Sequence, residues 1–287
     1  MANRKQRAQI ANETIELLER ESYSIGDLNV SLSSALADMR AGTVMYTPSQ
    51  LDSLVARLDP PQPSNTQIQV VNQTTFAAAR ALAEDRAAGE PLCLNFASAK
   101  NPGGGFLSGS QAQEECLARA SGLHASLILQ MPYYEANRSH ASSLYTNHVI
   151  YSPSVPVFRD DDDQLLSQPY RVSIITSPAV NAGAVRKNEP SNVAKIQPAM
   201  QTRIRSVLAV ARDHGHDSLV LGAWGCGVFR NDPKDIALGF ADALSEPSFK
   251  GAFTRVVFAV LDFADGTPTF SAFQQVFSAH KRNELTR

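Results

Sequence analysis

The chain has 287 residues, 43% hydrophobic and 19% charged, a composition that suits one large α/β domain or two small ones with a real core. Its 26 basic and 28 acidic residues leave a formal net charge of -2, which argues against a sequence-specific nucleic-acid binder with a basic face. Cys93, Cys116 and Cys226 show no CxxC or metal-ligand spacing, so a disulfide framework and a zinc site are both disfavoured.

In chain order, the first expected helix is Arg4 to Arg20, with Ile10, Thr14, Leu17 and Leu18 along one face. This charged, amphipathic start lacks the apolar core of a signal peptide, and no apolar run is long enough to span a bilayer. A reducing cytoplasm and a monomer are the expected setting. The stretch from Ser22 to Pro63 is less regular and ends in a run containing Pro60, Pro61 and Pro63. Residues 1–65 are therefore expected to form a helical extension packed on a core domain of residues 66–287.

From there strands alternate with helices. Gln67 to Val71 and Pro91 to Ala97 read as strands, the latter buried, with a helix from Thr74 to Ala88 between them. A helix follows from Gln113 to Gln130, weakened at Gly122. His148 to Tyr151 and Val172 to Thr176 read as strands, and Val193 to His214 as a helix. Ser218 to Leu221 is a strand, Pro233 to Leu244 a helix, Arg255 to Asp262 a strand and Phe270 to Ala279 a helix. This order predicts an α/β fold with a mixed or mainly parallel sheet sandwiched between helices. The acidic run Asp160 to Asp163 reads as a solvated loop that lacks the spacing of a calcium-binding loop.

Ligands of open α/β sheets bind beyond the carboxyl ends of strands. That singles out the loops Ser98 to Ala112 and Ala223 to Asp232. The first holds Gly103, Gly104 and Gly105, which are costly unless the backbone needs unusual dihedrals or close approach to a ligand. Neither a Walker A nor a Rossmann pattern fits: Ser110 stands where the lysine belongs, and Ser108 breaks the other spacing. The loop feeds Gln113, Glu114 and Glu115 at a helix start. Two acids there can simply complement the helix dipole; the glycines beside them favour a ligand site.

The combination of Gly103-Gly104-Gly105 with Gln113-Glu114-Glu115 resembles the signature of poly(ADP-ribose) glycohydrolases of the bacterial type. The stretches Thr176 to Val180 and Leu221 to Pro233 also resemble that family, so the likeness covers most of the chain. It implies a macrodomain fold and a glycosidase that trims poly(ADP-ribose), or ADP-ribosylated protein, from chain ends to free ADP-ribose, because the N-terminal extension would block internal sites. It also implies roles. Glu115 would be the catalytic acid and Glu114 the clamp on the ribose hydroxyls. Gln113 and Asn101 would position that ribose. The loop Gly225-Cys226-Gly227-Val228-Phe229 would wrap the diphosphate, with Phe229 near the distal ribose. Asn95 stands where animal members tend to carry an aspartate.

Cleavage of a ribose–ribose bond passes through an oxocarbenium-like state and needs a proton on the leaving oxygen. The common plan sets two carboxylates on opposite sides of the bond, roughly 5–10 Å apart. Neighbours on a helix point about 100° apart and share one end of a cleft. One acid and one clamp is the better expectation, with no metal and no cofactor. A helix N-terminus favours the ionised carboxylate, so substrate binding, with its diphosphate, is expected to prepare Glu115 to donate.

Competing readings are a macrodomain that binds ADP-ribose without cleaving it, which the paired acids oppose, and a hydrolase of single ADP-ribose units. A nucleophilic Cys226 with His214 or His216 as base ranks low, since no spacing pairs them. His124 is expected to be packed. Trp224 is expected in the core by base rate. Tyr133, Tyr134, Tyr145 and Tyr151 are core or surface residues by default, any one of them open to stacking on adenine.

Overall fold

The computed structural model describes residues 2–62, 64–85 and 89–285, with side chains through residue 279. Helix α1 (Arg4–Arg20) forms as expected: Asn3 accepts from the backbone of Gln6, and Gln6 returns the bond to Asn3 N. The stretch expected to be less regular is built of short elements. It contains a hairpin of β1 (Ser22–Ile25) and β2 (Leu28–Ser31), then α2 (Ser33–Gly42), β3 (Val44–Tyr46) and α3 (Pro48–Ala56). Each element is short, so no periodic signal builds up. The start of α3 was nevertheless readable: Thr47 caps, Pro48 opens and Gln50 closes the box.

Next come β4 (Gln67–Val71), α4 (Thr75–Glu84) and β5 (Leu92–Phe96). Pro63 and the expected end of α4 at Ala87 and Ala88 lie outside the described residues. The single helix expected from Gln113 to Gln130 is broken. Helix α5 (Gln113–Ala120) stops at Ser121, which is extended and bridges to Val157. Gly122 then starts α6 (Leu123–Leu127), and a short 3-10 turn leads into α7 (Met131–Ser139), which the sequence pattern did not reveal. A side chain at Gly122 would press on Leu36 and Pro156, so close packing dictates the break.

Strands β6 (Val149–Arg159) and β7 (Leu165–Ser177) are much longer than expected. Pro153 and Pro156 read as breakers, yet they lie past the end of β3 on that edge of β6, where no ladder partner needs their missing N–H. The remaining elements are α8 (Ala182–Asn188), α9 (Ile196–Asp213), β8 (Ser218–Leu221), α10 (Pro233–Ser245), β9 (Arg255–Ala259) and α11 (Pro268–Leu285).

The central sheet is seven-stranded and mixed, in the order β3-β6-β7-β5-β8-β9-β4. Strands β7, β5, β8, β9 and β4 run parallel, while β6 and β3 form an antiparallel margin. The N-terminal stretch thus supplies a strand to the same sheet. Side chains alternate between two cores. Leu92, Leu94, Leu219, Leu221, Val256 and Phe258 face α9, α10 and α11. Cys93, Val220, Val257 and Ala259 face the other side, with α2, α4, α6 and α7. Among the described residues no helix is long and apolar enough to cross a membrane.

This topology has one consequence for function. Strands β5 and β8 are parallel neighbours, so their carboxyl ends open side by side. The loops singled out in the sequence are the ones that leave those two ends.

Candidate active site

Helix α5 begins without a side-chain cap at Ala112. Its own third residue supplies the missing acceptor: Glu115 Oε2 accepts from Ala112 N at 3.0 Å. Its other oxygen, Oε1, accepts from Gly105 N, also at 3.0 Å. The carboxylate is thereby held between the helix start and the glycine loop, half-buried at the cleft. Gly104 has φ +61°, and a Cβ there would stand 2.5 Å from Glu115 Oε1 and 3.0 Å from Glu114 Oε2. The glycine is required both by its dihedral and by the acids beneath it.

Glu114 lies in a different environment. It is only 3% exposed. Ser98 N donates to Oε2 at 2.6 Å, and Asn95 Nδ2 donates to Oε1 at 3.2 Å and to Thr176 at 3.1 Å. Burial pushes the Glu114 carboxyl up to about 8, with the neighbouring Glu115 adding to the rise and the bonds from Ser98 and Asn95 opposing it. Asn95 Oδ1 and the hydroxyls of Tyr133 and Ser177 are buried without a hydrogen-bond partner among the described residues. Asn95 is thus a direct partner of Glu114.

Gln113 bonds away from the cleft. Its Oε1 accepts from Phe96 N at 2.8 Å, and its Nε2 donates to Leu94 O at 2.7 Å and Thr75 Oγ1 at 3.0 Å. It fastens the first turn of α5 to β5 and α4. Asn101 is exposed at the rim; its N–H donates to Ser98 Oγ and its carbonyl accepts from Gly104 N. Gly103 packs over Phe106 and Ala118.

The second loop is pinned by Asn231, which the sequence reading overlooked. Its Nδ2 donates to Val180 O at 2.8 Å and to Gly225 O at 3.2 Å. At Gly225, φ is +73° and a Cβ would meet Ala179 at 2.5 Å, so this turn demands glycine. Gly227 is exposed and Val228 is 86% exposed, leaving the tip of the loop open. Phe229 is half-buried, with its ring centroid 6.0 Å from that of Tyr145.

The nucleophile reading of Cys226 fails on geometry. Its thiol follows the carboxyl end of β8, whereas His214 and His216 precede its amino end. His214 stacks on Tyr151 at 3.6 Å, and His216 bonds the Tyr151 hydroxyl at 2.8 Å. Burial also pushes the Cys226 thiol up to about 12. Of the other tyrosines, Tyr133 and Tyr134 are fully buried, and Tyr145 pairs with Phe229. Trp224 is core, donating to Ser177 O. His124 packs on Phe106, and burial lowers its pKa. The acidic run is not merely solvated: it forms the turn between β6 and β7, where Asp161 accepts from Thr74 and Asp163 lies 3.7 Å from the buried Arg119.

Known proteins share this fold. The family described as microbial-type PARG, catalytic domain, matches residues 11–160. The poly(ADP-ribose) glycohydrolase of Thermomonospora curvata is 47% identical over 95% of this chain and 100% of that one, with a TM-score of 0.91. Its complex with the inhibitor ADP-HPD matches at 47% identity over 95% and 99%, with a TM-score of 0.88. The Deinococcus radiodurans enzyme in complex with ADP-ribose is 49% identical over 85% and 97%, with a TM-score of 0.80. No curated protein matches the chain. Fold and site together define a glycosidase with a macrodomain-like fold. More particularly, the chain belongs to the microbial-type poly(ADP-ribose) glycohydrolase family, whose members hydrolyse poly(ADP-ribose).

Proposed function

We propose that this site releases ADP-ribose from the ends of poly(ADP-ribose), with Glu115 as the acid and Glu114 as the ribose clamp. The observation that carries the reading is the contrast between adjacent carboxylates: Glu114 is buried and pushed up to about 8, while Glu115 stands half-buried under Gly104. Burial thus keeps a proton on Glu114 at neutral pH. Ribose hydroxyls donating to Glu114 favour its carboxylate form, and the proton passes to Glu115. Glu115 then gives it to the leaving ribose oxygen as the glycosidic C–O bond breaks. The remaining carboxylate takes a proton from the water that adds to the oxocarbenium carbon, which restores the acid.

The second loop suits the diphosphate. Its exposed tip presents backbone at Gly227 and Val228, and it sits beside the glycine loop at the ends of β8 and β5. The substrate's negative charge there also stabilises the cationic transition state. Asn101, at the rim, is placed to help hold the ribose; Gln113 helps by fixing the first turn of α5. Cleavage from chain ends is supported by α1, whose Arg4 and Arg7 donate to Ser108 O at 3.0 Å and Gly109 O at 2.9 Å and wall off that side of the loop.

Glu115→Gln tests the assignment. Release of ADP-ribose from labelled polymer should fall by about 10³-fold or more, while ADP-ribose binding by calorimetry stays close to that of the unaltered protein. Hydrolysis near the normal rate would sink it.

A further inference from the structure

Arg203, on α9, is 1% exposed and takes no part in the chemistry described above. All its bonds go to uncharged oxygens. Nε donates to Asn147 Oδ1 at 2.9 Å, Nη1 to Pro178 O at 2.9 Å, and Nη2 to Leu144 O and to Tyr145 O, the latter at 3.0 Å. A guanidinium this deep is expensive to bury, and carbonyl dipoles are its compensation. Burial lowers it to about 10, so it remains charged at neutral pH.

The segments it joins all lead to the cleft. Tyr145 has φ +59°, a left-handed conformation that a bulky residue adopts only where its surroundings impose it. The carbonyls on either side of its Cα, Leu144 O and Tyr145 O, both turn to the same nitrogen of Arg203. The guanidinium therefore stabilises the strained turn that aims the Tyr145 ring at Phe229. On the other side Pro178 leads to Ala179, the atom group that Gly225 abuts, and to Val180, whose carbonyl holds Asn231. The Phe229 carbonyl is fixed in turn by Gly183 N, just beyond. Buried Arg203 is the common anchor of both rings.

We propose that Arg203 is a positioning residue: it sets the Tyr145–Phe229 ring pair, and through it the grip of the site on the distal ribose. The proposal rests on the reading, implied by the family resemblance, that Phe229 lies near the distal ribose. A fork of planar donors is needed to serve three backbone carbonyls and one amide at once, and a lysine ammonium lacks that geometry.

A double-mutant cycle on ADP-ribose affinity and on kcat and KM for polymer tests this. Phe229→Ala alone should weaken ADP-ribose binding about tenfold. Arg203→Lys should do the same, raising KM with kcat within about threefold. In the Phe229→Ala background, Arg203→Lys should add less than about twofold, because the ring it positions is gone. Equal, additive losses would overturn the proposal and leave Arg203 a general structural cation. A Phe229→Ala protein that binds ADP-ribose normally would overturn the reading of the second loop, and this proposal with it. Should the Arg203 variant fail to fold, Asn147→Ala removes a single partner of the guanidinium. It is expected to weaken binding in the same direction and to lose that effect in the Phe229→Ala background; persistence of the effect there counts against the proposal.

Discussion

Gly104 and Glu115 stand so close that a methyl group on the glycine would sit 2.5 Å from the carboxylate oxygen that accepts from Gly105 N. The loop and the acid are therefore one fitted unit. Gly104→Ala forces a left-handed alanine, which costs about 1–2 kcal/mol, and pushes both carboxylates aside. Displacements of this size in a reacting group lower turnover by about 10²-fold. The expected result is a folded protein, modestly destabilised in thermal unfolding, with kcat on polymer reduced to that degree. Unaltered kcat would show that the fit between loop and acid is immaterial.

Glu114 makes a pH-dependent contribution whose sign follows from burial. Its carboxyl is raised from 4.5 to about 8 in the folded protein, so between those values the folded chain holds a proton that the unfolded chain has lost. Stability from this group is fully present below about 4.5, declines as pH rises, and is gone above about 8. Glu114→Gln removes the penalty. Relative to the unaltered protein, its unfolding midpoint should rise progressively from pH 5 to about pH 8 and then level off, by an amount reflecting a few kcal/mol. The same variant should lose turnover. A constant difference across that range would mean that Glu114 is ionised throughout.

Much of this site was legible in the sequence because it is local. The glycines, the acids and the second loop each occupy a short run, and the alternation of strands and helices locates both loops at strand ends. What stayed hidden is held across distance. Asn231 reaches Val180, Arg203 reaches Leu144, and Gln113 reaches back to β5; no spacing announces such bonds. The fold shows the same division. Helix α1 and strand β8 follow their patterns to the residue, whereas β6 runs through two prolines because beyond β3 that edge has no ladder that needs their N–H. Ser121 left its helix to meet Val157, a tertiary demand that overrides propensity.

The cysteines give a simple check on local electrostatics. Burial is the leading cause that raises all of them: Cys93 is fully enclosed, Cys116 is raised despite the nearby Arg119, and Cys226 reaches about 12. A thiolate is the reactive form, so an aromatic disulfide reagent at pH 8 should label the native protein slowly at every cysteine. In denaturant, labelling should become rapid and reach the three cysteines of the sequence. Fast labelling of native Cys226 would restore the case for a reactive thiol in the second loop.

Helix α1 offers the last test, because it touches the glycine loop without touching Glu114 or Glu115. Arg4 Nε donates to Ser108 O and Arg7 Nε to Gly109 O, while Thr14 bonds the carbonyl of Arg119 in α5. The loop closed by these bonds carries Gly105 N and Ala112 N, which hold Glu115. Replacing both arginines by alanine removes partly exposed hydrogen bonds worth about 1 kcal/mol each. Thr14 keeps the helix docked, so the unfolding midpoint should drop only slightly. Turnover should fall about tenfold, which corresponds to roughly 1.4 kcal/mol in the barrier. Amide exchange at Gly105 and Gly109 should quicken in parallel. Faster exchange with unchanged kcat would show that α1 does not tune Glu115.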